Sequence, residues 1–465
     1  MGSTRASMNA AKHVSNLLRN VRLTPFDSST SEGRAKERGR RALLTSLASL
    51  VTQSAKMLTI VVSMPLTIAY LGTERYGLWL TISSFTAFLS FSDLGIGNGL
   101  LNAIAGANGR DDRLAMRRAT SSSILLLAGV SIGLLVLFWA IYPHAPWQRV
   151  FNVSSAQAIA EAGPALAVFV TCFLINMPFE TVHRIQEGLQ EGYRSKLWQA
   201  GGSLASLLAV IVTIRYQFGL PWLVLSFTGV PIIATILNSV SVYGFRYPWL
   251  RPSWGFATRS EAKHLANVGF MFLLLQLSMA VAFASDNMVV AQVLGADTVT
   301  QFGVPQRLFA MLLMLVSIAL SPLWPAYGEA LSRNDVIWAK QTLARTIRSS
   351  LTIVGPMALV LVLLGQWIIQ IWIGPSVSPS WLLLAGFGVW VVISSAGSAM
   401  AMFLNGAGKV RFQVVTATTM AVANLLLSIF LTRLIGVSGP IWGSVISYAV
   451  ILLVPTFFYV RRILK

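Results

Sequence analysis

The chain has 465 residues, of which 55% are hydrophobic and 11% charged, about half the charge of a soluble globular protein. That balance excludes a disordered protein, a collagen-like fibre and an ordinary soluble enzyme, and it points to a chain whose main solvent is lipid. The net charge of +19 would suggest nucleic acid in a soluble protein, but its placement along this chain argues otherwise, so no nucleic-acid partner is expected.

Residues 1–42 are polar and basic and contain no apolar run long enough for a cleavable signal peptide. Within them Val14, Leu17, Leu18 and Val21 recur at helical spacing beside Lys12, Arg19 and Arg22. The pattern suits either a short interfacial helix on an anionic leaflet or a disordered tail. Residues 24–41, with Pro25, Gly33 and Gly39, read as a linker.

From Leu43 onward twelve apolar stretches follow, at 43–70, 77–105, 119–142, 162–183, 197–214, 221–243, 265–294, 302–326, 350–372, 381–404, 413–432 and 439–460. Each can cross roughly 30 Å of hydrocarbon as a helix. In lipid the backbone must satisfy its own hydrogen bonds, which leaves helices or closed barrels as the only spanning structures. The expected fold is therefore an all-α polytopic membrane protein with 12 transmembrane helices.

Of the 35 Lys and Arg, 29 fall on the side that holds both termini and the loops after even-numbered helices. The opposite loops hold only Arg75, Arg149, Arg215 and Arg433, while Lys56 and Arg307 lie inside helices. The asymmetry predicts that both termini are cytoplasmic. No loop is long enough for a soluble domain, so the protein's work is expected to happen within the bilayer.

Three features recur in the same order in each half of the chain. Leu71-Gly72 matches Leu294-Gly295, the Gly188/Gly192 loop matches the Gly406/Gly408 loop, and Arg215 with Gly219 matches Arg433 with Gly436. Two pseudo-symmetric six-helix bundles follow, over 43–243 and 265–460, joined by a cytoplasmic linker at 244–264 and ending in a cytoplasmic tail at 461–465. With six helices per half the repeat is parallel, about an axis along the membrane normal.

Polar residues inside the spans are the candidate chemistry. The first helix carries Thr45, Ser49, Thr52, Lys56, Thr59, Ser63 and Thr67 on one face, and the second carries Ser83, Thr86, Ser90, Asp93 and Gly97. Such faces either line a wet cavity or pack as ordinary Ser/Thr seams between helices. The charges favour the cavity, since a mid-membrane Lys costs roughly 2.5–3.5 kcal/mol unless paired or hydrated.

Counted at about 1.5 Å per residue from the 71–77 turn, Lys56 and Asp93 reach similar depth near mid-bilayer. Asp286 and Arg307 form a second candidate pair in the outer half. Lys56 and Arg307 are the candidate substrate-binding residues, for an anion, and Asp93 and Asp286 the candidate counter-charges or ion-coupling groups. Glu180 and His183 read as interfacial. Pro65, Pro178, Pro305 and Pro356 mark kinks, and Pro322 and Pro325 are expected to break the eighth helix.

No catalytic residue, metal site or cofactor is expected. The single cysteine, Cys172, lies in an apolar run, and the four histidines are scattered. Gly95-Ile96-Gly97-Asn98-Gly99 has no preceding strand, and Gly406-Ala407-Gly408-Lys409 lacks the rest of a phosphate loop.

Leu71-Gly72, then Tyr76-Gly77-Leu78-Trp79 and Asp93-Leu94-Gly95-Ile96-Gly97-Asn98 resemble the first hairpin of the oligosaccharide flippases, or polysaccharide transporter family. Asp286 before Leu294-Gly295 and the Asn405-Gly406-Ala407-Gly408-Lys409 loop resemble the matching second-half features. The resemblance spans about residues 43–460. It implies the multidrug/oligosaccharidyl-lipid/polysaccharide exporter fold, with its bundles around a central cavity. It further implies a flippase that moves a polyprenyl-diphosphate-linked oligosaccharide to the outer face of a bacterial inner membrane. A cationic cavity is carried over only onto Lys56 and Arg307. The expected partners are the lipid-linked oligosaccharide, membrane lipid, a polysaccharide polymerase and a chain-length regulator. The alternative is an H⁺- or Na⁺-coupled multidrug exporter of the same fold, which would favour acidic cavity residues. A membrane polymerase or glycosyltransferase would show a large external loop or paired acid and base residues.

Overall fold

In the computed structural model the described residues are 24–464 apart from 28, 90–92, 152, 296–297 and 374–377. Among them the chain is helical and contains no strand. The suggested interfacial helix around Val14–Val21 lies outside the described residues, as do the side chains of Thr86 and Ser90. The chain divides into two compact units, Met1–Gly269 and Phe270–Lys465.

Unit 1 begins with α1 (Ser31–Gly72), so helix replaces the expected linker from residue 31. Charge pairing explains the extension. The Glu37 carboxylate takes Arg40 Nη2 at 2.6 Å and Arg41 Nε at 2.7 Å, and it also accepts from the Phe26 amide. Arg41 Nη1 donates to the Leu189 carbonyl, which ties this first stretch to the rest of the unit. Gly72 has φ +71°, a left-handed value that glycine adopts without a Cβ penalty, and it turns α1 into α2 (73–89). Then come α3 (Ile96–Gly109), α4 (Arg113–Ile141), α5 (Ala156–Phe179), α6 (Thr181–Gly188), α7 (Gly192–Arg215) and α8 (Leu220–Val240).

The segment expected as a free linker at 244–264 is largely docked. Two 3₁₀ turns, Pro248–Leu250 and Trp254–Phe256, lie on α4. The Ser253 and Thr258 amides donate to Ser121 and Ser122, and the Arg117 guanidinium stacks 3.7 Å over Phe256.

α9 (Arg259–Leu294) carries the chain into unit 2. After it come α10 (Val299–Leu320), α11 (Leu323–Ser332), α12 (Val336–Ser349), α13 (Gly355–Ile373), α14 (Trp381–Gly406), α15 (Val410–Ile435), α16 (Gly439–Ser447) and α17 (Val454–Ile463). As expected, the eighth predicted helix breaks at Ser321-Pro322, between α10 and α11.

Ten helical runs among the described residues are long and apolar enough to cross a membrane. The predicted 77–105 helix appears as α2 and α3, on either side of residues 90–92. The last two predicted helices fall within one run, Val410–Ile463, but the chain reverses inside it at Gly436, whose φ of +63° and ψ of −140° are not helical, and α15 and α16 pack side by side.

The internal repeat is visible in the backbone of each unit. Left-handed residues recur in order at Gly72, Asp111, Gln190 and Gly219, then at Gly295, Asn334, Gly408 and Gly436. The helix caps recur as well. Asp112 caps α4 and Asp335 caps α12, each accepting an amide three residues on. Ser155 caps α5 and Ser380 caps α14 in the same way.

Lipid supplies little hydrophobic drive between helices, so close approach of small residues has to hold each unit together. Ala158, Ala162 and Ala165, at helical spacing, are fully buried on α5. A Cβ on Gly188 would lie 2.8 Å from Ile104, one on Gly192 2.8 Å from Thr45, and one on Gly406 2.7 Å from the Trp324 carbonyl.

Candidate functional site

The polar face of α1 divides into two parts. Thr45, Thr52, Thr59, Ser63 and Thr67 are buried. Thr52 Oγ1 donates to the Lys196 carbonyl at 2.6 Å and Thr59 Oγ1 to the Ser203 carbonyl at 3.0 Å, both on α7. The threonines therefore form a helix–helix seam, which corrects the cavity-lining expectation for them. Each hydroxyl also reaches a carbonyl of its own helix, at Ala48 and Ala55, so its single proton is shared between the two helices.

Lys56 lies on the same helix but is exposed. Among the described residues it makes no ion pair; Lys196 and Glu180 are the charges close enough to act on it. The expected pairing with Asp93 is not formed. Asp93 Oδ1 accepts from the Gly95 amide, and its charge acts on Arg184 instead. Gly97 permits that approach, because a Cβ there would lie 2.8 Å from Asp93 Oδ2 and 3.2 Å from Arg184 Nε. Arg184 and Lys196 both reach Glu187, at 3.3 and 3.0 Å. Lys56 thus borders a cluster of alternating charge that includes Arg184, Glu187 and Lys196. Sequence reading counts Arg184 and Lys196 only among the loop cations and does not single out Glu187.

His183 is buried, with Nδ1 2.9 Å from Ser195 Oγ and Nε2 3.4 Å from Thr235 Oγ1. Next to it Gln186 and Asn238 exchange two amide hydrogen bonds of 2.9 Å. Glu180 is exposed and accepts from Asn176.

In unit 2, Asp286 on α9 is 3% exposed and makes no ion pair among the described residues. Its oxygens accept from Ser428 Oγ of α15 at 3.3 Å and Ser444 Oγ of α16 at 3.0 Å. Asn424 stands at the centre of the group. Its Oδ1 takes Ser428, Ser444 and Ser447 at 3.2, 3.1 and 3.4 Å, and its Nδ2 donates to the Ala282 carbonyl at 2.7 Å. A carboxylate, an amide oxygen and three hydroxyls therefore converge inside the membrane portion of one unit. The donor set is all oxygen, which suits a proton or a hard monovalent cation.

Arg307 does not join this group. It is exposed, and the contact between α9 and α10 at that level is Asn287 Nδ2 to Gln306 Oε1 at 3.0 Å. Asp286 and Arg307 share a depth but point to different sides of their helices. Asn424, Ser428 and Ser444 had escaped sequence reading; the i, i+4 pair Asn424/Ser428 on an otherwise apolar stretch was the available signal.

Between the matching helices of unit 1, α7 and α8, the hydrogen bonds among the described residues are made by hydroxyls. Ser206 Oγ donates to the Ser226 carbonyl at 2.8 Å, and Thr213 Oγ1 lies 2.8 Å from Ser226 Oγ. Ser63 stands where Asp286 would fall, nine residues before the turn glycine. The carboxylate is thus a property of one half of the repeat only.

The profile of the family described as "Polysaccharide biosynthesis protein" matches residues 42–331, more than half of the chain. A protein from Salmonella typhimurium described as "Putative O-antigen transporter" is 19% identical over 82% of this chain and 87% of its own length. A protein of the same description from Salmonella typhi is 22% identical over 60% of this chain and 62% of its own. Among solved structures, a MATE in the bent conformation superposes with TM-score 0.77 at 16% identity, covering 93% of this chain and 96% of that one. A MOP superfamily transporter from Pyrococcus furiosus gives 0.74 at 16% identity, with 92% and 96% covered. At these identities the structural likeness establishes the fold.

Proposed function

The chain belongs to the polysaccharide biosynthesis protein family, and from that premise we propose that it is a flippase for a polyprenyl-diphosphate-linked oligosaccharide. In this reading it works by alternating access in a bacterial inner membrane, with both termini in the cytoplasm. The substrate class draws on the description shared by the two Salmonella relatives.

The structural observation that carries the reading is Lys56, an exposed ammonium on a membrane helix with no ion-pair partner among the described residues. A charge kept at that cost is expected to meet an anion. A diphosphate supplies one that forms strong charge-assisted hydrogen bonds. Arg307, exposed and unpaired on unit 2, is the second candidate contact. Moving the diphosphate's charge outward across an inside-negative potential is favourable by about 2.3 kcal/mol per charge per 100 mV. Asp286 is the candidate coupling group, because a lone buried carboxylate among hydroxyls can exchange a proton or a monovalent cation at small structural cost. Asp93, engaged with Arg184, fits a counter-charge within unit 1. A multidrug exporter of the same fold would carry organic cations, and the exposed Lys56 and Arg307 would repel them.

Deleting the gene tests the reading. The expected outcome is a lipid-linked oligosaccharide that accumulates on the cytoplasmic side and is cleared by the wild-type gene. Normal surface polysaccharide in the deletion strain, with raised sensitivity to cationic drugs, would favour the exporter instead.

A further inference from the structure

A groove of about 550 Å³ lies on the surface of unit 1 between α7 and α8. One wall carries Arg194, Trp198, Gly201 and Ala205, spaced along one side of α7, and the facing wall carries Val230 and Ile233. Its floor is the close contact of Gly202 with Ala234 and Pro231, where a Cβ on Gly202 would sit 3.1 Å from the Ala234 Cβ. Above that floor Gly201 is exposed, and a Cβ there would meet nothing within 4 Å.

The groove is apolar along its length and cationic at one end. Glu191 takes Arg246 Nη2 at 2.6 Å and lies 3.7 Å from Arg194 Nε. Two guanidiniums therefore share one carboxylate, and a positive charge is left over at the mouth. The other half of the repeat lacks this arrangement. α15 begins at Val410 as α7 begins at Gly192, so Phe412 stands for Arg194, Thr419 for Gly201 and Met420 for Gly202. Phe412 stacks on Tyr459 with ring centroids 4.0 Å apart, and Met420 is fully buried. At the arginine and floor positions of the groove the second half carries aromatic and aliphatic side chains instead.

We propose that the α7–α8 groove binds the polyprenyl chain of a lipid phosphate, with the phosphate held at Arg194. The apolar walls and the open positions at Gly201 and Ala205 suit a methyl-branched hydrocarbon, and the spare guanidinium complements the phosphate. The proposal rests on the flippase reading for the identity of the lipid, and it places the hydrocarbon end of that substrate on the outside of unit 1.

Native mass spectrometry of the detergent-purified full chain tests it, with a polyprenyl phosphate and phosphatidylglycerol added at equal concentration. The wild type is expected to retain the polyprenyl phosphate in preference. Gly201→Phe and Ala205→Phe, which fill the groove from two levels, should each reduce retention at least tenfold. Arg194→Gln should reduce it several-fold, with Arg194→Lys recovering part. Two groove-filling variants are used so that a folding defect, read as loss of the monodisperse species or of helical circular dichroism, cannot imitate loss of the lipid. Equal retention by the wild type and a folded Gly201→Phe protein overturns the groove but leaves the flippase reading standing, because the lipid would then bind elsewhere. Equal displacement by phosphatidylglycerol reduces the groove to a bulk-lipid contact and also overturns the proposal. Failure of the flippase reading itself is seen separately, as normal lipid-linked oligosaccharide distribution in the deletion strain.

Discussion

Two residues separate competing accounts of this protein, Lys56 and Asp286. If Lys56 meets a diphosphate, a point charge is what matters, so Lys56→Arg should keep substantial export. Lys56→Ala should lose export at normal membrane abundance, and Lys56→Glu should be worse because it repels the phosphates. Because Asp93 is engaged with Arg184 rather than Lys56, adding Asp93→Asn should not rescue Lys56→Ala; a rescue would show that the two neutralise each other. The measurement is surface polysaccharide in a complemented deletion strain.

At Asp286 the amide isostere keeps shape while removing charge. Asp286→Asn should cost about 1–3 kcal/mol, the order of one disturbed buried hydrogen-bond set, and should abolish export more completely than it lowers the melting temperature. Since Arg307 stands apart, Asp286→Asn with Arg307→Gln should be no better than Asp286→Asn alone. Recovery in the double variant would restore the ion pair that depth alone suggested. The sequence made both residues visible, because charge inside an apolar run is conspicuous. It did not reveal their partners. Counting residues from a turn fixes depth at about 1.5 Å per residue, but not azimuth. Asn287, one position from Asp286, takes the contact with α10.

At the scale of elements, α1 shows what periodicity can and cannot supply. The 3.6-residue repeat placed Thr45, Thr52 and Thr59 on one face, and they share it. It was silent on whether that face met water or another helix, because a hydroxyl satisfies itself equally against either. The seam gives a direct prediction. Interhelical hydrogen bonds in membranes average about 0.6 kcal/mol each, so Thr52→Val with Thr59→Val should lower stability by about 1 kcal/mol and leave transport near wild type. A loss of transport in a stably folded double variant would return these positions to a cavity wall. The turns were more legible than the faces. Gly72, Gly219, Gly295 and Gly436 were found from their order alone, and each has the positive φ that explains why glycine is there. Residues 31–41 differ from the linker that the glycines and serines signalled: Glu37 with Arg40 and Arg41, at i+3 and i+4, was a local helix signal, and only the Arg41 contact with the Leu189 carbonyl depends on a surface elsewhere in the unit.

For the whole molecule the open quantity is its direction in the membrane, on which an outward flippase depends. The reasoning is electrostatic. Basic loops resist translocation, and 29 of the 35 Lys and Arg lie on one side of the predicted spans. The structure supplies reporter positions that disturb nothing. Trp254 projects at 83% exposure from the docked segment after α8, Lys340 is exposed on α12, and Gln148 is exposed in the loop between α4 and α5. Gly192, which sequence alone would also allow, is unsuitable because a side chain there meets Thr45. In a Cys172→Ala background, Trp254→Cys and Lys340→Cys should resist a membrane-impermeant thiol reagent in intact cells and react after permeabilisation. Gln148→Cys should react in both. The two protected positions are separated by the seventh and eighth predicted helices, so protection of both requires that this stretch cross the membrane an even number of times. Labelling of Lys340→Cys but not Trp254→Cys in intact cells would make that number odd and remove one of the two crossings. Labelling of both, with Gln148→Cys protected, would turn the whole protein over and reverse the direction of transport that the membrane potential favours.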